Sequence, residues 1–150
     1  MRPLPLPTAK RSSFQDDKCQ PKLRRVDLYR GSSWTRARQE AAAVYDAGLN
    51  QIEDLVVPAL GADRTHVYHL YTIKHPRRDA LAAHLNARGV QTAINYPTAL
   101  PFLEAYSRLN ARAKQFPNAH RDQEMILSLP MFAEITREQQ HEAIELVRSF

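Results

Sequence analysis

The sequence of 150 residues contains a single cysteine, Cys19. One thiol cannot close an internal disulfide, and no Cys/His metal cluster can be built around it. Glycine is almost as scarce, at four residues, so a glycine-rich loop cradling phosphate is not expected. No G-x-G-x-x-G, P-loop, G-x-S-x-G or H-E-x-x-H pattern occurs. No apolar run approaches the ~18 residues that a membrane span needs. Met1 to Lys10 has no apolar signal-peptide core, which leaves the cytoplasm as the default compartment. Against these absences, 43% of residues are hydrophobic and 25% charged, the ordinary balance of a globular domain. The length suits one domain and is short for two.

Charge is unevenly placed. The chain carries a net +5. Residues 1–38 hold ten Lys/Arg against three Asp, a net of +7, and the remainder is −2. A basic arm of this kind can contact nucleic acid or acidic lipid through phosphates. A solvated tail with no specific partner is the plainer reading, since no aromatic interleaving suggests base stacking. Residues 1–33 also contain Pro3, Pro5, Pro7 and Pro21, which remove backbone donors and discourage regular structure. They read as a poorly ordered basic segment, with at most a short helical piece at Lys22–Tyr29.

From Trp34 the pattern changes. Trp34, Ala37, Ala41, Val44, Tyr45 and Gly48 recur at helical steps, with Ser33 as a plausible N-cap. Leu55–Pro58 is a short apolar run. Val67–Lys74 is rich in β-branched and aromatic residues and reads as a central strand. Pro76, Asp79, Leu81, Leu85 and Gly89 mark the start, buried stripe and stop of a second helix. Val90–Tyr96 is another strand candidate, halted by Pro97. Helices are expected at Phe102–Asn110 and Pro117–Ile126, and a short strand at Leu127–Pro130. Thr136 with Gln139 forms a capping box ahead of Ala143, Ile144, Val147 and Phe150. This order indicates an α+β domain over residues 34–150, a small sheet of about three strands covered by helices on one face.

Few residues point to chemistry by themselves. His66 and His69 fall on opposite sides of a strand, so a shared metal is not expected, and His69 reads as a core or hydrogen-bonded histidine. Glu124 reads as a solvated helix residue rather than a general acid. On residue types alone, this is an α+β domain without a self-contained active site.

A longer series of motifs says more. It runs His66-Val67-Tyr68-His69-Leu70-Tyr71-Thr72-Ile73, Arg78-Asp79-Ala80-Leu81, Arg88-Gly89-Val90-Gln91-Thr92, Asn95-Tyr96-Pro97 and Leu127-Ser128-Leu129-Pro130-Met131-Phe132. In order and spacing it resembles the C-terminal small domain of the DegT/DnrJ/EryC1/StrS aminotransferases, and the resemblance covers Trp34–Phe150. It implies the pyridoxal phosphate (PLP) chemistry of that family, amino transfer from glutamate to a nucleotide-linked keto-sugar. It also implies a homodimer with sites shared between subunits. The PLP-binding machinery of the family lies in a large N-terminal domain, and the strand-helix units that build it are not found here. The resemblance therefore implies a truncated domain, inactive alone and not binding PLP by itself. The other readings are half of a split enzyme needing a large-domain partner, and a non-enzymatic module with a nucleic-acid-binding arm.

Two places carry family site residues. Ser13-Phe14-Gln15-Asp16-Asp17-Lys18 resembles the family's Ser-Phe-x-x-x-Lys, which makes Lys18 a possible remnant of the PLP lysine. The Gly-Glu-Gly-Gly turn that follows in the family is replaced by Cys19-Gln20-Pro21-Lys22. Asn95-Tyr96-Pro97 stands where the family usually has His-Tyr-Pro at the edge of the substrate cleft, so the resemblance implies substrate contacts from Asn95 and Tyr96. An asparagine can hydrogen-bond a sugar hydroxyl or phosphate but cannot titrate as histidine does.

Overall fold

The computed structural model of the protein describes residues 25–150. In chain order the elements are α1 (Arg25–Leu49), β1 (Tyr71–Lys74), α2 (Arg78–Asn86), α3 (Pro117–Met125), β2 (Ile126–Leu129) and α4 (Arg137–Arg148). Short 3-10 turns occupy Leu100–Phe102, Glu104–Leu109 and Ala113–Gln115. The expected α+β class is found.

The helix expected from Trp34 begins earlier, at Arg25, so Ser33 lies inside α1 rather than capping it. Gly31, Ser32 and Ser33 each cost roughly 0.5–1 kcal/mol against alanine in a helix. Packing of the following turns outweighs that cost: Ala41, Ala42, Tyr45 and Leu49 are all buried on one face. Gly48 lets α4 approach closely, since a Cβ there would sit 2.7 Å from Ile144 Cδ1. Gln140 of α4 donates from Nε2 to the Ala41 carbonyl at 2.8 Å, within the same seam. The expected capping box starts α4: Gln139 N–H donates to Thr136 Oγ1 at 3.3 Å, and the Thr136 N–H donates to Gln139 Oε1 at 3.0 Å.

The sheet is smaller than expected, with two strands rather than about three. β1 and β2 pair antiparallel, with Tyr71 opposite Leu129 and Ile73 opposite Leu127. The two other strand candidates touch it only through single bridges, Val56 to Lys74 and Ala93 to Ser128. The Val90–Tyr96 candidate forms no ladder: only Ala93 bridges to Ser128, and the segment ends with Tyr96 turned to φ 59 ahead of Pro97. Val67–Leu70 does not join β1 because Tyr68 is left-handed too, at φ 47. That break leaves His69 exposed, not in the core.

The strand period sorts the two faces. Tyr71, Ile73, Leu127 and Leu129 are buried together on one. There the Tyr71 ring lies 4.9 Å from that of Tyr45, and its hydroxyl donates to Asp46 Oδ1 at 2.6 Å. Tyr45 donates to the Pro130 carbonyl at 3.0 Å, and burial pushes its phenol up to about 12. Burial, then the Asp46 bond, raises Tyr71 as well. The opposite face is polar: Thr72 and Ser128 share a hydroxyl hydrogen bond at 3.0 Å, and Lys74 Nζ lies 2.6 Å from Asp122 Oδ2 of α3.

Helix α2 closes the core with Leu81 and Leu85. Gly89, at φ 88, ends that helix in the left-handed conformation that suits glycine. Beyond α4, Phe150 is held under the Arg77 guanidinium at 4.2 Å, with His75 and His84 edge-on at 5.5 and 5.4 Å.

Candidate functional site

From Gln91 to Ile126 no residue is buried. This arm lies beside the polar side of the sheet and is fastened at a few points. Ala93 exchanges two backbone hydrogen bonds with Ser128, at 3.1 and 2.8 Å. The Ala99 N–H donates to Gln123 Oε1 of α3 at 2.9 Å. Arg78 of α2 donates to the carbonyls of Gln123 and Ile126, at 3.3 and 3.1 Å.

The loop carrying Asn95-Tyr96-Pro97 spans the gap between the Ala93 and Ala99 anchors. Tyr96 is 78% exposed and left-handed, a conformation that costs a non-glycine residue roughly 1–2 kcal/mol. Beside it, Asn95 Oδ1 is buried with no hydrogen-bond partner among the described residues. A buried acceptor left unpaired costs about 1–3 kcal/mol. Neither cost is offset by burial of Tyr96, whose ring points to solvent. Strain together with an unfilled acceptor is what a binding loop displays when its ligand or partner supplies the missing contact. The two substrate-site residues expected from sequence therefore stand side by side on a strained, exposed loop. The other expected site residue, Lys18, lies outside the described residues.

Sequence reasoning missed the role of Gln123. Its side chain holds the far end of the loop, and nothing in the helical pattern of α3 marked it out.

PLP needs an uncharged lysine amine, a carboxylate for the ring nitrogen and a cup of phosphate donors. The lysines among the described residues are Lys74 and Lys114. Lys74 Nζ pairs with Asp122, and that hydrogen bond keeps the Asp122 carboxyl below the usual range. Lys114 is exposed on a 3-10 turn of the arm. The four glycines are scattered at 31, 48, 61 and 89 and form no phosphate-binding turn. The described residues do not fit the cofactor. Nor do they contain a cluster of His, Cys, Asp or Glu able to hold a metal. No helix among them is long and apolar enough to cross a membrane.

The family profile of the DegT/DnrJ/EryC1/StrS aminotransferases matches residues 16–148, and the chain is a member of that family. It is 39% identical over 119 residues to a "pleiotropic regulatory protein" of Geobacillus stearothermophilus, covering 78% of this chain and 32% of that one. It is 32% identical over 134 residues to the dTDP-3-amino-3,4,6-trideoxy-alpha-D-glucose transaminase of Streptomyces venezuelae, covering 89% and 35% respectively. The crystal structure of S. venezuelae DesV superimposes with a TM-score of 0.80 at 33% identity, over 83% of this chain and 34% of that one. The chain thus spans about a third of the length of the curated relatives it matches.

Proposed function

We propose that residues 34–150 form the substrate-facing small domain of a sugar aminotransferase, and that Asn95 and Tyr96 contact a nucleotide-linked keto-sugar. The observation that carries this reading is the Asn95–Tyr96 pair: an unfilled buried acceptor next to an exposed aromatic ring held at positive φ. Asn95 Oδ1 accepts a hydrogen bond from a sugar hydroxyl or a base N–H. The Tyr96 ring offers an apolar face to the sugar and a phenol to its polar edge. The anchors at Ala93 and Ala99 hold both residues in place before the ligand arrives.

The chain does not carry out amino transfer by itself on this reading. The lysine, carboxylate and phosphate cup for PLP come from a large domain of the family type. The activity of the S. venezuelae relative, a dTDP-amino-sugar transaminase, supports a dTDP-linked sugar as the first substrate class to try.

The test is an amino-transfer assay with glutamate and a dTDP-linked keto-sugar. The full chain alone should give no product, and addition of a family large domain should give product. In the reconstituted system, Asn95→Ala and Tyr96→Ala should raise KM for the sugar nucleotide about tenfold, the loss of ~1.4 kcal/mol of binding, with little change in kcat. Product from the chain alone, or an unchanged KM in both variants, would overturn the reading.

A further inference from the structure

The last carbonyls of a helix have no partner within it. At the end of α3 the body supplies partners. Arg78 Nη1 of α2 donates to the carbonyls of Gln123 and Ile126, at 3.3 and 3.1 Å. The His75 N–H donates to the Met125 carbonyl at 3.0 Å. One residue before Gln123, the Asp122 carboxylate meets Lys74 of β1 at 2.6 Å. Arg78 is itself buried, and its Nε lies 2.6 Å from Asp79 Oδ1. The Gln123 backbone is therefore a fixed point on the body. Its side chain reaches the substrate loop, where Oε1 accepts the Ala99 N–H at 2.9 Å. The Ala99 carbonyl accepts the Phe102 N–H at 2.9 Å, which opens the 3-10 turn at Leu100–Phe102. Ala99 is thus held on both sides. Residues 94–98 close the span from there back to the Ala93–Ser128 pair.

We propose that Gln123 is a positioning residue for the Asn95–Tyr96 pair: by fixing Ala99 it sets the span of the loop and holds Tyr96 at positive φ before a ligand arrives. The proposal rests on the sugar-site reading above. A non-glycine residue leaves the left-handed region unless its surroundings over-determine it. No residue of 94–98 is buried, so packing does not supply that constraint. The ends of the loop supply it. The first end is held by two backbone hydrogen bonds to β2. The second is held by the side chain of Gln123, and that bond can be removed without touching the sheet. Without it the loop spreads over conformers in which Asn95 and Tyr96 do not face a ligand together. The competent fraction falls, and apparent affinity falls in proportion. Gln123 touches no ligand on this account. It acts through Ala99, and Arg78 holds it from behind.

The experiment compares two variants. Gln123→Met keeps the length of the side chain and loses the acceptor, whereas Gln123→Glu keeps an acceptor oxygen at the same reach. Gln123 is only partly buried, so both should melt with the parent, and thermal melts verify this. In the full chain, amide hydrogen exchange at Ala99 should be roughly tenfold faster in Gln123→Met and near parental in Gln123→Glu. In the reconstituted enzyme, Gln123→Met should raise KM for the dTDP-linked sugar about fivefold with kcat unchanged, and Gln123→Glu should restore it. Parental exchange at Ala99 in Gln123→Met overturns the proposal. Equal KM increases in both variants also overturn it, because the retained acceptor then makes no difference. The two readings fail separately. If Asn95→Ala raises KM and Gln123→Met does not, the positioning role alone falls. If Asn95→Ala, Tyr96→Ala and Gln123→Met all leave KM unchanged, the sugar-site assignment falls, and exchange at Ala99 still decides whether Gln123 holds the loop.

Discussion

Residues 41–90 and 127–150 hold every buried side chain of the described structure, while the arm from Gln91 to Ile126 holds none. The body is closed in the usual way: α1 and α4 meet at Gly48 and Ile144, and the apolar face of the sheet lies against Tyr45. The arm has the same supply of apolar residues but buries none of them fully. It is tied on by backbone pairs at Ala93, by Arg78 at the Gln123 and Ile126 carbonyls, and by the Lys74–Asp122 pair. The body can be understood from its own sequence. The arm exposes large apolar side chains such as Tyr96, Leu100 and Leu109, and it carries the proposed sugar contacts.

Paired substitutions test the contrast most strongly. Leu85→Ala in the body should cost about 2–5 kcal/mol, while Leu109→Ala in the arm should stay within about 0.5 kcal/mol. Urea denaturation of the free chain measures both, and similar losses would erase the distinction. Gly89→Ala should cost roughly 1–2 kcal/mol, because alanine is strained at φ 88 even with open space around it. Thr136→Ala should remove about 1 kcal/mol by deleting the α4 cap, visible as a lower midpoint with an unchanged denaturant slope.

Tyr96→Gly should act in the opposite direction. It relieves the left-handed strain and gives up little burial, so the free chain gains up to ~1 kcal/mol. In the reconstituted enzyme the same change should raise KM for the sugar nucleotide. A destabilised Tyr96→Gly chain would mean that the ring packs locally rather than waiting for a ligand.

The smallest effects are those of pH. His75 accepts a hydrogen bond from the Arg77 N–H on Nδ1 at 3.0 Å. Burial first, then the Arg77 charge, lowers its pKa below the ordinary 6.5. The unfolded chain therefore takes up the proton first as pH falls below that value, and stability declines until folded His75 protonates too. Asp122, lowered chiefly by its bond to Lys74, contributes stability above the usual carboxylate range. That contribution is lost at more acid pH, as the pH falls through its folded value. Denaturation midpoints should drop from about pH 7 to about pH 5.5 in the parent, and His75→Asn should flatten this first decline while keeping an acceptor for Arg77.

The body was more legible in sequence than the arm, for reasons visible at single residues. Thr136 with Gln139 and Gly89 are local devices whose chemistry fixes their structure, and both are found as expected. The start of α1 was misplaced because Ser33 resembles a cap, and only the packing of later turns decides that the helix runs through it. The third strand was overcounted because Tyr96 adopts positive φ against its own propensity. Tyr68 does the same and shortens β1. Asn95 and Tyr96 are singled out by family resemblance, not by residue chemistry. Their strain and the unfilled acceptor depend on where Ala93 and Ala99 are anchored, which no local pattern reveals.

The most direct test of the account is an absorbance scan of the full chain after incubation with PLP and dialysis, followed by borohydride reduction. The account predicts no retained cofactor band and no label on the protein, because of the described lysines Lys74 is paired with Asp122 and Lys114 is exposed on the arm. A retained visible band, reduced by borohydride and abolished in Lys18→Ala, would contradict it and place a working cofactor lysine in this chain.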